Sequence, residues 1–216
     1  CGPDYIDCGF LRAASGRPAI TLDEFAMPDE MLRALAGGAD GETLIIEGVM
    51  GLFDGTDGGQ GSTAILASKL RLGVILVIDA RHQAQTAAAI AAGLAGELPE
   101  GASLVGVILN HIASPRHEQL IRQALIDRSI KCFGALPSAD EVTVPSRHLG
   151  LVQTADLATD GRLDAIIEAA ADLVAKHIDC VGVLAAATPL AHAPTGQNVC
   201  SAIHPHGQHI AMAHDP

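Results

Sequence analysis

Apolar and polar positions fall into two kinds of block along the chain. Four short aliphatic runs carry no in–out alternation and predict strands buried on both faces. They are Leu44–Ile46, Gly73–Ala80 (GVILVIDA), Leu104–Asn110 (LVGVILN) and Lys131–Leu136 (KCFGAL), the last closing on Pro137. Between them lie segments with helical spacing. Pro28 followed by DEMLRALAG reads as a helix start with acids in its first turn, stopped by Gly37 and Gly38. Ser62 stands at an N-cap position before TAILASKL. Gln85–Glu97 reads as an Ala-rich helix, and Arg116–Arg128 as a further helix. Arg162–His177 is amphipathic, with Leu163, Ile166, Ile167 and Ala170 on one face. Strands alternating with helices across short loops predict an α/β fold, a parallel sheet flanked by helices.

The flanks are less regular. Residues 1–30 are rich in Gly, Pro and Asp without a long period and read as loop with short elements. From about Gly182 the pattern degrades into a Pro-, Ala- and His-rich stretch that reads as a linker to residue 208, after which HIAMAHD resembles a first strand of something else. The first residue is Cys rather than Met, so the expectation is a fragment cut at both ends.

Composition narrows the function classes. The 216 residues suit one domain, or one plus part of another. Hydrophobic content is 49% but aromatics only 2%, so the core must be built from Ala, Val, Ile and Leu. A net charge of −12 repels nucleic acid and anionic membrane surfaces, and both are rejected as partners. An anionic substrate needs Mg²⁺ or local arginines to offset that field. Cys1, Cys8, Cys132, Cys180 and Cys200 form no CxxC pair and read as reduced thiols, which points to the cytoplasm. No apolar run reaches the roughly 18 residues of a membrane span.

The candidate chemistry lies where strands end. Glu47, Asp79, Asn110 and Pro137 each close a predicted strand, and in a parallel sheet all four share one rim, the edge where open α/β sheets bind ligands. Connecting turns favour the same residue types, and Glu47 alone reads equally well as a solvated strand cap. Glu47 beside a glycine-rich loop suits a Mg²⁺ shared between protein and phosphate oxygens. That loop, DGTDGGQGST (54–63), runs into a helix whose N–H groups and dipole can bind an anion, or it is a flexible lid. It is not a Walker A loop, because Gly61 stands where Lys is required, and no Walker A occurs in the chain. Asp4 and Asp7 flank Tyr5 at a spacing that lets two carboxylates approach one metal or phosphoryl site; surface acids in a turn look the same. His204, His206, His209 and His214 crowd the tail without a fixed ligand spacing and read better as polar linker.

GPDYID (2–7), EGVMGLFDG (47–55), STA (62–64), VGVILN (105–110) and RHLGL (147–151) together resemble cobyrinic acid a,c-diamide synthase and its aerobic-pathway counterpart, the hydrogenobyrinic acid enzyme. The resemblance runs the length of the chain. It implies a dethiobiotin-synthetase-like P-loop NTPase domain of three layers over residues 1–181, a linker over 182–208 and the start of a glutaminase domain at 209–216. It implies a carbon–nitrogen ligase of cobalamin biosynthesis that amidates the c and then the a carboxylate of a corrinoid. ATP with Mg²⁺ activates each carboxylate as an acyl phosphate, and ammonia released from glutamine attacks it. Asp4, Asp7 and Glu47 are then the catalytic set, with Glu47 and Asp4 on the metal. Asn110 and the backbone at Pro137 face the adenine of ATP. Tyr5, Leu52, Asp54 and Ser62 approach the corrinoid. The oligomeric state stays open, a homodimer being compatible.

Departures from the family pattern are Thr21, Cys8 and Ser146, where Asn, Pro and Glu are usual. The family's Walker A loop precedes GPDYID, and its glutaminase cysteine and histidine lie beyond residue 216. Two rival readings follow: amidation of another tetrapyrrole, such as nickel-sirohydrochlorin, and a non-catalytic corrinoid- or nucleotide-binding remnant. A sheet without its P-loop strand exposes a strand edge, so low solubility is expected of the isolated piece.

Overall fold

The computed structural model describes residues 6–39, 41–144, 146–147, 150–151, 154–159 and 161–190. The chain opens with helices α1 (Ile6–Ser15), α2 (Asp29–Gly37) and α3 (Thr63–Leu70). Strands and helices then alternate: β1 (Gly73–Asp79), α4 (Gln85–Gly96), β2 (Ser103–Ile112), α5 (Pro115–Ile126) and β3 (Cys132–Pro137). A small antiparallel hairpin, β4 (Ser146–Arg147) with β5 (Gly150–Leu151), and helices α6 (Thr154–Thr159), α7 (Arg162–His177) and α8 (Cys180–Ala185) complete it.

β1, β2 and β3 form one parallel sheet in that order, so the α/β expectation holds. The crossover helices α4 and α5 pack on each other and on the sheet. Their contact is a close-packed aliphatic layer in which Ala87, Ala88 and Ala91 meet Val107, Leu109, Ile121 and Leu125. Small alanines let α4 lie close to the strands, which is how a core with so few aromatics is filled. A second cluster joins Leu22, Leu32 and Ala36 to Leu66 and Leu70, seating α2 on α3. A third, around Leu157 and Leu163, is covered by Phe10, Ile166 and Ile167, so the predicted apolar face of α7 is the one that packs.

Two glycines fix close approaches. A Cβ on Gly134 would lie 2.3 Å from the backbone oxygen of His177, where Ile178 forms an isolated bridge to β3 and Asp179 N–H donates to Phe133 O at 2.7 Å. A Cβ on Gly9 would lie 2.5 Å from Thr154 Oγ1, so α1 lies directly against α6.

Two expectations need correction. Residues 6–15 are a ten-residue helix rather than loop. It carries Gly9 in its interior and lies among Gly, Pro and Asp residues, which mask a helical period in the sequence. Leu44–Ile46 is not a strand: it lies in an irregular segment, with Leu44 and Ile45 43% and 78% exposed. A strand exists only by pairing, and among the described residues this segment has no ladder partner; only Ile46 packs, against the Leu22–Leu32 cluster. The outer edge of β1 is likewise unpaired among the described residues, and Val77 on it is 60% exposed.

The stretch expected to be linker begins inside α8, and Leu190 still packs on the second cluster. Residues 191–216, with the histidine-rich tail, lie outside the described residues. Among the described residues no helix is long and apolar enough to cross a membrane. Cys8, Cys132 and Cys180 are free thiols, and burial pushes the Cys132 thiol up.

Candidate functional site

Three of the four rim residues do converge. The sheet is parallel, so its carboxyl ends coincide, and the register sets Asp79 opposite Asn110 and Ile112 opposite Pro137. Asp79 is exposed, and the Arg81 guanidinium grips both its oxygens, Nε at 3.0 and 2.9 Å. These hydrogen bonds pull the Asp79 carboxyl down to about 2. Half-buried Asn110 accepts the His111 N–H on its side-chain oxygen at 2.9 Å, and its backbone oxygen accepts Ala80 N–H. His111 Nδ1 lies 3.1 Å from Ser138 Oγ, joining the ends of β2 and β3.

His117 is fixed from both sides. Its Nδ1 accepts Ala113 N–H at 3.2 Å, which leaves the proton on Nε2, and Nε2 donates to Gln83 O. Backbone strain gathers on the same edge. Of the five non-glycine residues with positive φ among the described residues, His82 and His111 sit within three residues after Asp79 and Asn110. Strained backbone concentrates where a ligand or reaction needs side chains aimed unusually. His111 and Arg81 were missed in the sequence, although each follows a rim residue that was found.

Glu47 stands apart from this sheet edge, because its segment is not in the ladder. It is exposed and lines an apolar groove of about 410 Å³ that Asp7 also lines, from the first turn of α1. Leu11, Ile20, Leu22 and Leu44 form much of the wall. Asp4 and Tyr5 lie outside the described residues. Mg²⁺ is held by one or two carboxylates and completes its shell with waters and phosphate oxygens. Asp7 and Glu47 both line this groove, and among the described residues no group of three or more His, Cys, Asp or Glu is placed to hold a metal.

The glycine-rich loop is ordered by its own bonds. Asp54, exposed, accepts Gly51 N–H at 2.8 Å; Thr56 N–H reaches Gln60 O and Gly59 N–H reaches Thr56 O, each at 2.8 Å. Gly58, Gly59 and Gly61 have φ of +91°, +80° and +81°, a region that favours glycine. Leu52 is buried, and its carbonyl accepts Ala64 N–H from the first turn of α3. Ser62 is the N-cap, as its position predicts: 1% exposed, its hydroxyl accepts Ile65 N–H at 3.4 Å.

Part of the donor set expected to bind an anion here is already used. Gly61 N–H, just before the helix, donates to Glu24 Oε2 at 2.5 Å, Ala64 N–H goes to Leu52 O and Ile65 N–H to Ser62. Glu24 thus places one of the protein's own carboxylates beside the start of α3. Neither Glu24 nor its partner Lys69 was legible as a pair, since they lie far apart in sequence and share no local spacing.

A family model for AAA domains matches residues 13–146, which takes in α2 through β3 and the whole rim. The chain belongs to the AAA domain family. Among curated proteins, hydrogenobyrinate a,c-diamide synthase of Rhodobacter capsulatus is 47% identical over 191 residues, covering 86% of this chain and 43% of that protein. The Rhizobium meliloti protein of the same name is 44% identical over 216 residues, covering 99% of this chain and 48% of its own length. That of Mesorhizobium japonicum is 41% identical over 219 residues, again 99% against 48%. The resemblance carried by the five sequence motifs is thus met by named relatives, and the chain spans about half the length of each. No solved structure matches.

Proposed function

We propose that this chain is the ATP-dependent synthetase part of an enzyme that amidates the a and c carboxylates of hydrogenobyrinic or cobyrinic acid in cobalamin biosynthesis. The observation that carries the reading is the likeness, at 41–47% identity, to proteins named hydrogenobyrinate a,c-diamide synthase. Two features of the fold support it: a polar rim on the sheet's carboxyl edge, and an apolar groove that suits the face of a macrocycle, whose wall carboxylates would meet acidic arms only through a shared cation.

In the reaction, a corrinoid carboxylate oxygen attacks the γ-phosphorus of ATP, forming an acyl phosphate and releasing ADP. Ammonia from glutamine then attacks the acyl carbon, phosphate leaves, and loss of a proton yields the amide. Phosphoryl transfer of this kind asks the protein for positioning and charge neutralisation rather than covalent chemistry. Asn110 and the Pro137 backbone receive the nucleotide base at the rim. The groove wall takes the corrin face, and Leu52, Asp54 and Ser62 belong to the loop that approaches it, with Tyr5. Glu47 and Asp4 would hold Mg²⁺, with Asp7 beside them to position the phosphate or the reacting carboxylate; the ion would supply positive charge to offset that of the phosphates.

The test is Glu47→Gln in the full-length enzyme, keeping shape and removing charge. ATP-dependent amidation should fall about 100-fold or more, the scale of a lost electrostatic stabiliser. Unchanged turnover would sink the metal assignment.

A further inference from the structure

Glu24 is a charged side chain that is only 8% exposed. A buried carboxylate is retained only where partners compensate it, and here both oxygens are engaged. Oε2 accepts Gly61 N–H, 37 residues away in sequence, and Oε1 meets the Lys69 ammonium in the last turn of α3. Lys69 in turn lies 2.9 Å from Asp29 Oδ1 in the first turn of α2. The Glu24 hydrogen bond, with help from Asp29, raises the Lys69 pKa, so the ammonium stays charged.

This chain of charges ties three pieces together: α2, α3 and the end of the glycine-rich loop. The loop departs next to the groove wall at Val49 and returns at Gly61. Its departure is braced by Gly48, where a Cβ would lie 2.7 Å from Thr63. Its return has a glycine backbone and is held by the Glu24 carboxylate, two residues beyond Leu22 of the groove wall. The loop's bonds at Asp54, Thr56 and Gly59 are local to it and that at Leu52 reaches the first turn of α3, whereas the Glu24–Gly61 bond ties it to the 21–25 segment directly.

We infer that Glu24 is a positioning residue: by gripping Gly61 N–H and Lys69 together it holds the Gly51–Gly61 loop in place beside the substrate groove. The inference rests on the reading of that groove as the corrinoid site. It assigns substrate affinity, not the phosphoryl step, to a residue that touches neither substrate nor nucleotide.

The experiment uses the full-length protein, with Glu24→Ala and the near-isosteric Glu24→Gln. Backbone hydrogen exchange is read across the chain, and steady-state amidation is read against hydrogenobyrinic acid and against ATP. Glu24→Ala should speed exchange within residues 51–61 selectively and raise KM for the corrinoid about tenfold or more, the scale of a lost charge-assisted hydrogen bond. KM for ATP and kcat should stay within about twofold, a margin well below one lost hydrogen bond. Glu24→Gln has one acceptor oxygen where two are used, so it keeps Gly61 but not Lys69 and should restore both effects only in part.

Exchange that rises evenly over the chain, or a KM for ATP that rises in step, would mean that Glu24 is only structural and would overturn the inference. So would wild-type loop exchange in Glu24→Ala. If Glu24→Ala does not fold, Lys69→Met replaces it and is read by the same exchange and KM criteria. If the wild-type enzyme does not bind hydrogenobyrinic acid at all, the functional reading fails, while loop exchange still decides whether Glu24 holds the loop.

Discussion

Gly134→Ala offers the sharpest check on how β3 is held. The glycine has no special backbone angle; what forbids a side chain is the neighbour. An added Cβ would sit 2.3 Å from His177 O, 2.5 Å from Ile178 Cδ1 and 2.8 Å from Ile178 Cα. Two of these three are backbone atoms, so no rotamer change relieves the clash and the 177–179 segment must move off the strand. Overfilling a packed site costs about 1–3 kcal/mol. Losing the Asp179 N–H bond to Phe133 O adds about 1 kcal/mol. The expected destabilisation is about 2–4 kcal/mol.

Gly93→Ala in α4 is the control, since nothing lies within 4 Å of its added Cβ. Removing a helix-interior glycine should stabilise by about 0.5–1 kcal/mol. Urea unfolding followed by circular dichroism compares the two, with amide exchange at Asp179 as the local readout. A Gly134→Ala protein as stable as wild type, with Asp179 still protected, would refute the close approach.

Further outcomes follow from other contacts. Ser62→Ala removes the α3 cap and should cost about 0.5–1 kcal/mol, at the low end because the capping bond is long; a thermal melt reads it. The Asp79 carboxyl titrates at about 2 rather than 3.8, held down by Arg81. Its contribution is therefore complete above pH 3.8 and is lost as pH falls toward about 2. A carboxyl-carbon NMR titration checks this, and Arg81→Met should return the midpoint to the ordinary carboxylate range. Because the pair is exposed, added salt should also raise that midpoint; insensitivity to both changes would remove the ion pair.

The aliphatic, β-branched runs of β1, β2 and β3, each bounded by turn residues and too short for a buried helix, and the 3.6-residue period of α7, point to their elements from local pattern. The rim was legible for the same reason: in a parallel sheet the residue after each strand shares an edge, which brings Asp79, Asn110 and Pro137 together whatever the helices do. Ser62 was legible as a cap because capping spans only three residues. Leu44–Ile46 has the composition of a strand yet is not one, since pairing depends on a neighbour that no local pattern supplies. Helix α1 was hidden by the glycine within it and the Gly, Pro and Asp residues around it. Glu24, Lys69 and Gly61 lie far apart in sequence, and only the packing of α2 on α3 brings them within bonding distance. That packing also places one of the protein's own carboxylates beside the helix start expected to bind an anion. Local sequence determines which backbone can form a given element. Tertiary structure decides which charges meet, because the energy of a buried ion depends on partners that proximity along the chain does not choose.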